Sequence, residues 1–301
     1  MMTNDTSGSA QRPTPTAGSD VSVIIVTYKT DPDVLRQCFM SLSAARDVSI
    51  ETLVVDNAGE EHVARFVKDI LPDAGVTINK ENRGFAAAVN QGLRQATGRY
   101  YLLLNPDTVI SPDALKKMVD HLDRDQDVGI ASSIIRYPDG THQESIRRFP
   151  GLLDQLAILF KLPHVFNKIG VVDKYMMRDV DPFKTQDVDS IMGAFMFIRP
   201  ELVKKIGLLD ERYFIWFEEV DYCKMAVDAG FKVRQYGDVE IIHHKGHSFN
   251  KVATIRKQKW IRTSLRKYMK KHHGVVVWAF LWVLTPIFIL LAYGAAQIKK
   301  S

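Results

Sequence analysis

The chain has 301 residues and 46% of them are hydrophobic, enough to fill one large core or two small ones. Its formal charge of +5 is local: ten Lys/Arg and no acid fall in residues 245–273, Lys299 and Lys300 follow, and the rest is net acidic. No nucleic-acid motif accompanies that basic segment, so no nucleic-acid partner is expected. Two cysteines, Cys38 and Cys223, exclude a disulfide framework or a cysteine metal site.

Residues 1–20 are rich in Thr, Ser, Gly and Pro with no apolar run, which predicts a disordered tail and no signal peptide. Residues 21–26 form a continuous β-rich run, the pattern of a strand buried on both faces. Asp31-Pro32-Asp33 opens a helix, in which Leu35, Cys38, Phe39 and Leu42 recur at helical spacing. A second strand over 52–55 ends at Asp56-Asn57. Val63, Phe66, Val67 and Ile70 mark the next helix, and a short strand follows near 76–78. Phe85, Val89, Leu93 and Ala96 describe a helix stopped by Gly98. Residues 100–104 make another strand. Ser111-Pro112 then reads as an N-cap with proline at the first helical position. Strands alternating with helices predict an α/β fold, with a mainly parallel sheet covered on both faces.

Residues 138–190 give few clean periods and are expected to hold loops facing an acceptor. A strand is predicted over 191–198. A helix over 201–206 is closed by Gly207, and another over 220–229 is ended by Gly230.

Three clusters carry chemistry. The run from Phe214 to Asp221 places Glu218, Glu219 and Asp221 behind aromatic residues. Carboxyls beside apolar groups have raised pKa values and suit proton transfer. Leu102-Leu-Leu-Asn-Pro-Asp107 is a strand ending in an acid. His243-His-Lys-Gly-His-Ser248 is a histidine cluster. Ligands of open α/β sheets bind beyond the carboxyl ends of the strands, and Thr27, Tyr28, Asp56, Asn57, Asn105 and Asp107 fall at such ends.

Taken with Val54-Val-Asp-Asn57, Asn82-Arg-Gly-Phe85 through Asn90, and Gly193-Ala-Phe-Met196, these motifs give the chain a clear resemblance over roughly residues 20–250. It resembles the inverting family 2 glycosyltransferases of GT-A fold, most closely their bacterial rhamnosyltransferase-like branch. The resemblance implies that Thr27, Tyr28 and Asp56 contact the nucleotide, with Asn57 beside them. It places Asn82, Gly84 and Asn90 near the nucleotide-sugar. Gly84 would permit close approach of the backbone. The usual Asp-x-Asp motif is here Asn105-Pro-Asp107, so Asp107 is the implied metal ligand and Asn105 a hydrogen-bonding group for sugar or ribose. His243 is the implied second ligand. A carboxylate with an imidazole suits Mn²⁺ as well as Mg²⁺, and such a cation would neutralise the leaving diphosphate. Direct inversion needs one base. The family's second acid falls on Glu219, which replaces the usual Asp, and Glu218 stays open as the alternative. Gly193, Trp216 and Asp221 are placed on the acceptor side, although Trp216 also suits core packing and Asp221 also suits helix capping.

The C-terminus predicts two further segments. Residues 251–273 form a basic helix whose stripe of Ile261, Leu265, Tyr268 and Met269 suits a membrane surface. Residues 274–298 carry no charged side chain. As a helix they would be about 37 Å long against a ~30 Å hydrocarbon core, and Pro286 would kink them. A single span and an in-plane helix both remain open. The chain is therefore expected to be a membrane-associated transferase on the cytoplasmic face. It would move a sugar such as rhamnose from a dTDP- or UDP-linked donor to a polyprenyl-diphosphate-linked saccharide in envelope polysaccharide assembly, with anionic lipid as a further partner. Other donors, UDP-galactofuranose or UDP-GlcNAc among them, fit the same motifs. A nucleotidyltransferase would need a Gly-rich basic phosphate loop, which residues 21–30 lack. An inactive membrane scaffold would not need the retained acids and histidine.

Overall fold

The apolar runs of the N-terminal half become neighbouring strands. A computed structural model of the chain describes residues 18–244 and 254–298. β1 (Val21–Thr27), β2 (Ile50–Asp56) and β3 (Gly75–Ile78) alternate with α1 (Pro32–Ser43) and α2 (Glu61–Ile70). α3 (Phe85–Leu93), β4 (Tyr100–Leu104), β5 (Thr108–Ile110), α4 (Ala114–Arg124) and β6 (Val128–Arg136) follow. The irregular middle holds β7 (Ile146–Arg147), α5 (Leu152–Leu159), α6 (Gly170–Tyr175), β8 (Gln186–Asp187) and β9 (Ser190–Ile191). Then come β10 (Phe195–Ile198), α7 (Pro200–Ile206), α8 (Glu218–Asp228), β11 (Lys232–His243), α9 (Thr254–His273) and α10 (Val275–Ile298).

The main sheet runs β3-β2-β1-β4-β10-β6-β11-β5, with β8 on β11. β3, β2, β1 and β4 are parallel, β10 is antiparallel to both β4 and β6, and β11 is parallel to β6. One face is covered by α1, α2 and α4 through Leu35, Phe39, Val67 and Met118. The other is covered by α3, α7 and α8 through Val89, Leu202 and Tyr222. Each such side chain contributes about 1.5–3 kcal/mol on burial. This is the expected α/β fold, and it leaves the carboxyl ends of β1, β2 and β4 along one rim.

Several local expectations change. Asp31 does cap α1, accepting from the Asp33 and Val34 N–H groups. Ser111-Pro112, however, does not start the next helix. α4 begins at Ala114, and the Ser111 hydroxyl bonds the Asp113 carboxylate. The strand predicted over 191–198 is interrupted between β9 and β10, because Met192 N–H turns to the Ser145 carbonyl and the Ala194 carbonyl accepts from Asn105 N–H. Most of the predicted tail lies outside the described residues. Asp20 does not belong to a free tail, since it is held by Ser49 and by Arg99.

The C-terminal helices depart most from expectation. Gly274, at φ +90°, turns the chain so that α10 folds back antiparallel on α9. Arg262 donates to the Phe288 carbonyl and Arg266 to the Thr285 hydroxyl. Leu265, Tyr268 and Met269 are buried with Tyr213, Phe217, Leu281 and Phe288. Three of the four residues of the predicted lipid-facing stripe thus face protein; Ile261 stays exposed. Much of the basic charge is also used internally: Lys271 pairs with Asp221 and Lys267 with the Arg212 carbonyl. Among the described residues no helix is long and apolar enough to cross a membrane. The single-span alternative is therefore dropped. Lys299 and Lys300 lie outside the described residues.

Candidate active site

A cleft of about 420 Å³ opens at the rim of the sheet. From the sheet side it is lined by Tyr28, Asn57, Asn105 and Asp107, with Asn82 and Gly84 from the loop before α3. Facing them are Met192, Gly193, Phe214, Ile215, Trp216, Glu218 and Glu219. His243 from the end of β11 and Trp260 from α9 complete it. Most of the motif residues predicted from the sequence therefore converge on one cavity.

Asp107 and His243 meet there. β11 pairs with β5 at His243 and Thr108, and the His244 N–H donates to the Asp107 carbonyl, which locks the register. The His243 Nε2 lies 3.2 Å from an Asp107 carboxylate oxygen, and both side chains are almost fully buried. On the other side of the ring, Nδ1 lies 2.7 Å from Gln143 Oε1. With Gln143 accepting, Nδ1 carries the proton and Nε2 presents a lone pair toward the carboxylate. Asn105 Nδ2 is 3.5 Å from the same Nε2. A carboxylate and an imidazole lone pair aimed into one space, with the imidazole held from behind, is a donor set that fits a divalent cation. No third His, Cys, Asp or Glu joins them among the described residues, so remaining ligands would come from water and phosphate, as hard cations accept. Gln143 gave no signal in the sequence; it is an isolated amide that β6 and the 137–141 turn bring under the histidine. Of the other cluster members, His247 and Ser248 lie outside the described residues.

The nucleotide-side residues divide into two groups. Tyr28, Asn57, Asn82 and Asn105 reach the cleft. Thr27 and Asp56 do not: both are buried, the Thr27 hydroxyl donates to Asp56 at 3.0 Å, and Asp56 accepts from Glu60 N–H at 2.7 Å. The direct contact expected of Asp56 gives way to a turn-capping role that presents Asn57. Asn57 in turn organises the next loop, donating to Asn82 at 2.9 Å and accepting from Arg83 N–H at 3.1 Å. Gly84 has φ +86°, and a Cβ there would stand 2.7 Å from the Phe214 carbonyl oxygen. That carbonyl accepts from Phe85 N–H at 2.7 Å, which seats the loop on the opposite wall.

Asn90 does not line the cleft. Its amide donates to the Leu209 carbonyl at 2.8 Å and accepts from Leu209 N–H at 3.0 Å, deep beneath the cleft. Asn90→Ala should cost about 1–3 kcal/mol, because it leaves two buried main-chain groups unpaired. Denaturant unfolding measures the loss, and donor affinity of the folded variant should not change.

The acid cluster opens α8. Glu218 is 4% exposed, and burial, reinforced by the Glu219 charge, pushes its carboxyl well above the usual range. Burial also raises Glu219, against the pull of N–H groups at the helix start. Each has one buried carboxylate oxygen without a hydrogen-bond partner among the described residues. Glu219 is partly open to the cleft and packs over Gly193. Asp221 does not line the cleft. It is fully buried and bonds His272 and Lys271, each at 2.7 Å, which ties α8 to α9. Its acceptor-side assignment becomes an anchoring one.

Before α8 the backbone is strained. Trp216 and Phe217 have φ of 63° and 72°, which costs about 1–3 kcal/mol each for side chains of this kind. α9 holds the strained turn: Ser264 donates to the Ile215 carbonyl at 2.8 Å, and the Tyr268 ring packs on Phe217. The strain sets the direction in which Glu218 and Glu219 enter the cleft.

A family model described as Glycosyl transferase family 2 matches residues 22–207. The chain belongs to that glycosyltransferase family. Among its curated relatives is the N-acetylglucosaminyl-diphospho-decaprenol L-rhamnosyltransferase of Mycobacterium tuberculosis, 25% identical over 75% of this chain and 76% of the relative. The rhamnosyltransferase WbbL of Escherichia coli is 24% identical over 83% and 93% of the respective chains. The mannosyltransferase PcManGT from Pyrobaculum calidifontis, solved with GDP-Man and Mn²⁺, superposes with a TM-score of 0.56 at 19% identity, over 98% of this chain and 78% of its own. GalNAc-T7, solved with UDP, GalNAc and Mn²⁺, gives 0.54 at 14% identity over 76% of this chain; the match spans 44% of that larger protein. The central sheet with flanking helices is thus a GT-A-like fold.

Proposed function

We propose that the chain is an inverting, metal-dependent glycosyltransferase that moves rhamnose from a dTDP- or UDP-linked donor to a lipid-linked saccharide of the cell envelope. The observation that carries the reading is the facing pair of Asp107 and His243, set across one cleft from Glu219. Two relatives named as rhamnosyltransferases, one of them for a decaprenyl-diphosphate acceptor, supply the sugar and acceptor class.

Tyr28, Asn57, Asn82 and Asn105 hold the nucleotide-sugar at the strand ends. Asp107 and His243 would hold Mg²⁺ or Mn²⁺, which supplies charge neutralisation for the leaving diphosphate. Glu219 accepts the proton of the acceptor hydroxyl as its oxygen bonds to the anomeric carbon from the opposite face. The bond from that carbon to the diphosphate oxygen breaks, and the configuration inverts. Glu219 suits this role better than Glu218, because it is the more open to the cleft. Incubating the purified chain with Mn²⁺, nucleotide-rhamnose and a lipid-linked GlcNAc acceptor should yield a product of inverted linkage. Turnover of no nucleotide-sugar at all would refute the reading.

We further propose that the α9–α10 hairpin lies in the plane of a membrane, on the cytoplasmic face. Val276, Trp282, Val283 and Leu290 of α10 are 59–78% exposed, an apolar surface beside the remaining basic charge of α9. This supports shallow insertion into an anionic leaflet. The chain should float with vesicles containing phosphatidylglycerol, and Trp282→Asp with Val283→Asp should abolish flotation. Equal flotation of the double variant would rule the surface out.

A further inference from the structure

One wall of the cleft has no part in the chemistry above. Phe214, Ile215, Trp216 and Trp260 line it next to Glu219. Trp260 belongs to α9, beyond the residues that the family model covers. Its ring is half-buried and sits 4.9 Å from that of Phe214, tilted by 36°. Phe214 supports it on one side, and the rest of the indole meets the cleft.

The chemistry of this wall selects its ligand. No Lys or Arg lines the cleft among the described residues, so the wall offers no counter-charge for a diphosphate. It offers aromatic surface, and at its foot two carboxylates that each keep an unpartnered buried oxygen. Of the two, Glu219 is the one partly open to the cleft, so a ligand hydroxyl donating to its carboxylate would offset the cost of its burial. An apolar ring face with hydroxyls along its edge meets both demands, the C–H face on the indole and the hydroxyls on the acids. A neutral pyranose is such a ligand.

We propose that Trp260 is a specificity-determining residue, the platform on which the acceptor sugar stacks so that one hydroxyl reaches Glu219. The inference rests on the glycosyltransferase reading above. It assigns to α9 a direct part in acceptor selection. The bond from Ser264 to Ile215 and the pairing of Lys271 with Asp221 fix that helix against the wall.

The test compares wild type with Trp260→Ala, Trp260→Leu and Trp260→Phe, using a nucleotide-sugar and a short soluble saccharide acceptor. Loss of the ring in the Ala and Leu variants should raise the acceptor KM about tenfold or more. The donor KM and the slow hydrolysis of donor by water should stay within about twofold of wild type. Phe should restore most of the acceptor affinity, which a purely structural role filled equally well by Leu would not produce. A folded Leu variant with unchanged acceptor KM would overturn the proposal, as would a change confined to the donor KM. Wild type that turns over no nucleotide-sugar would refute the parent reading and this inference together; an active wild type with unaltered variants refutes the inference alone.

Discussion

Glu219→Gln should lower transfer by roughly 10²-fold or more, the usual loss when a general base is removed. Donor affinity should change little, because Glu219 lies on the wall of the cleft facing the proposed donor residues at the strand ends. The pH profile carries a second signature. The base must be ionised to accept a proton, so activity rises with pH through its folded pKa. Burial raises that value above the ordinary 4.5, so the acid limb of kcat/KM should lie above pH 4.5 and should vanish from the residual activity of the variant. Glu218 gives the contrast. Its raised pKa favours the folded state at low pH, and this contribution is lost as pH rises through the folded value. Glu218→Gln should therefore stabilise the protein at pH 8 while leaving the acid limb in place. If the Glu218 variant loses the limb and the Glu219 variant keeps it, the roles are reversed.

Asp107→Ala should abolish metal-stimulated turnover. The loss should be roughly 10³-fold or more, since neutralising a leaving diphosphate is worth several kcal/mol. His243→Ala should fall in the same direction by less, because a water can replace a neutral ligand more readily than a charged one. Both variants should remain folded: Asp107 locks β11 through its main-chain carbonyl, which the substitution leaves in place. Gln143→Leu tests the geometry behind the pair. It removes the partner of the imidazole Nδ1, and loss of such a partner typically weakens metal affinity 10–100-fold.

The parallel half of the sheet was legible because β1, β2 and β4 are buried on both faces and centre on β-rich apolar stretches. β6 and β11 were not. β6 carries Ser132 and Ser133 at its centre. β11 alternates buried and exposed positions, with a register shift between Tyr236 and Glu240. The site followed the same division. Asp107, His243, Glu218 and Glu219 line one cleft, as the resemblance in motif order implied. Asn90 and Asp221 lie in the same motifs, yet their side chains turn inward to Leu209 and to α9. A motif does not reveal which way its amide or carboxylate points. Gln143 and Trp260 escaped for a different reason: one reaches the back of His243 and the other the cleft from elements whose packing is set by long-range contacts. The apolar C-terminus left a single span and an in-plane helix open because a long uncharged run suits both, and the turn at Gly274 that folds the last helix back on α9 is what removes the span.

Calorimetric titration of nucleotide-sugar into the purified chain, with and without Mn²⁺, bears most directly on the assignment of the cleft. Wild type should bind dTDP- or UDP-rhamnose with an affinity that Mn²⁺ strengthens tenfold or more, and Asp107→Ala should bind it weakly and equally in both conditions. Equal, Mn²⁺-strengthened binding by wild type and by a folded Asp107→Ala would contradict the site described here.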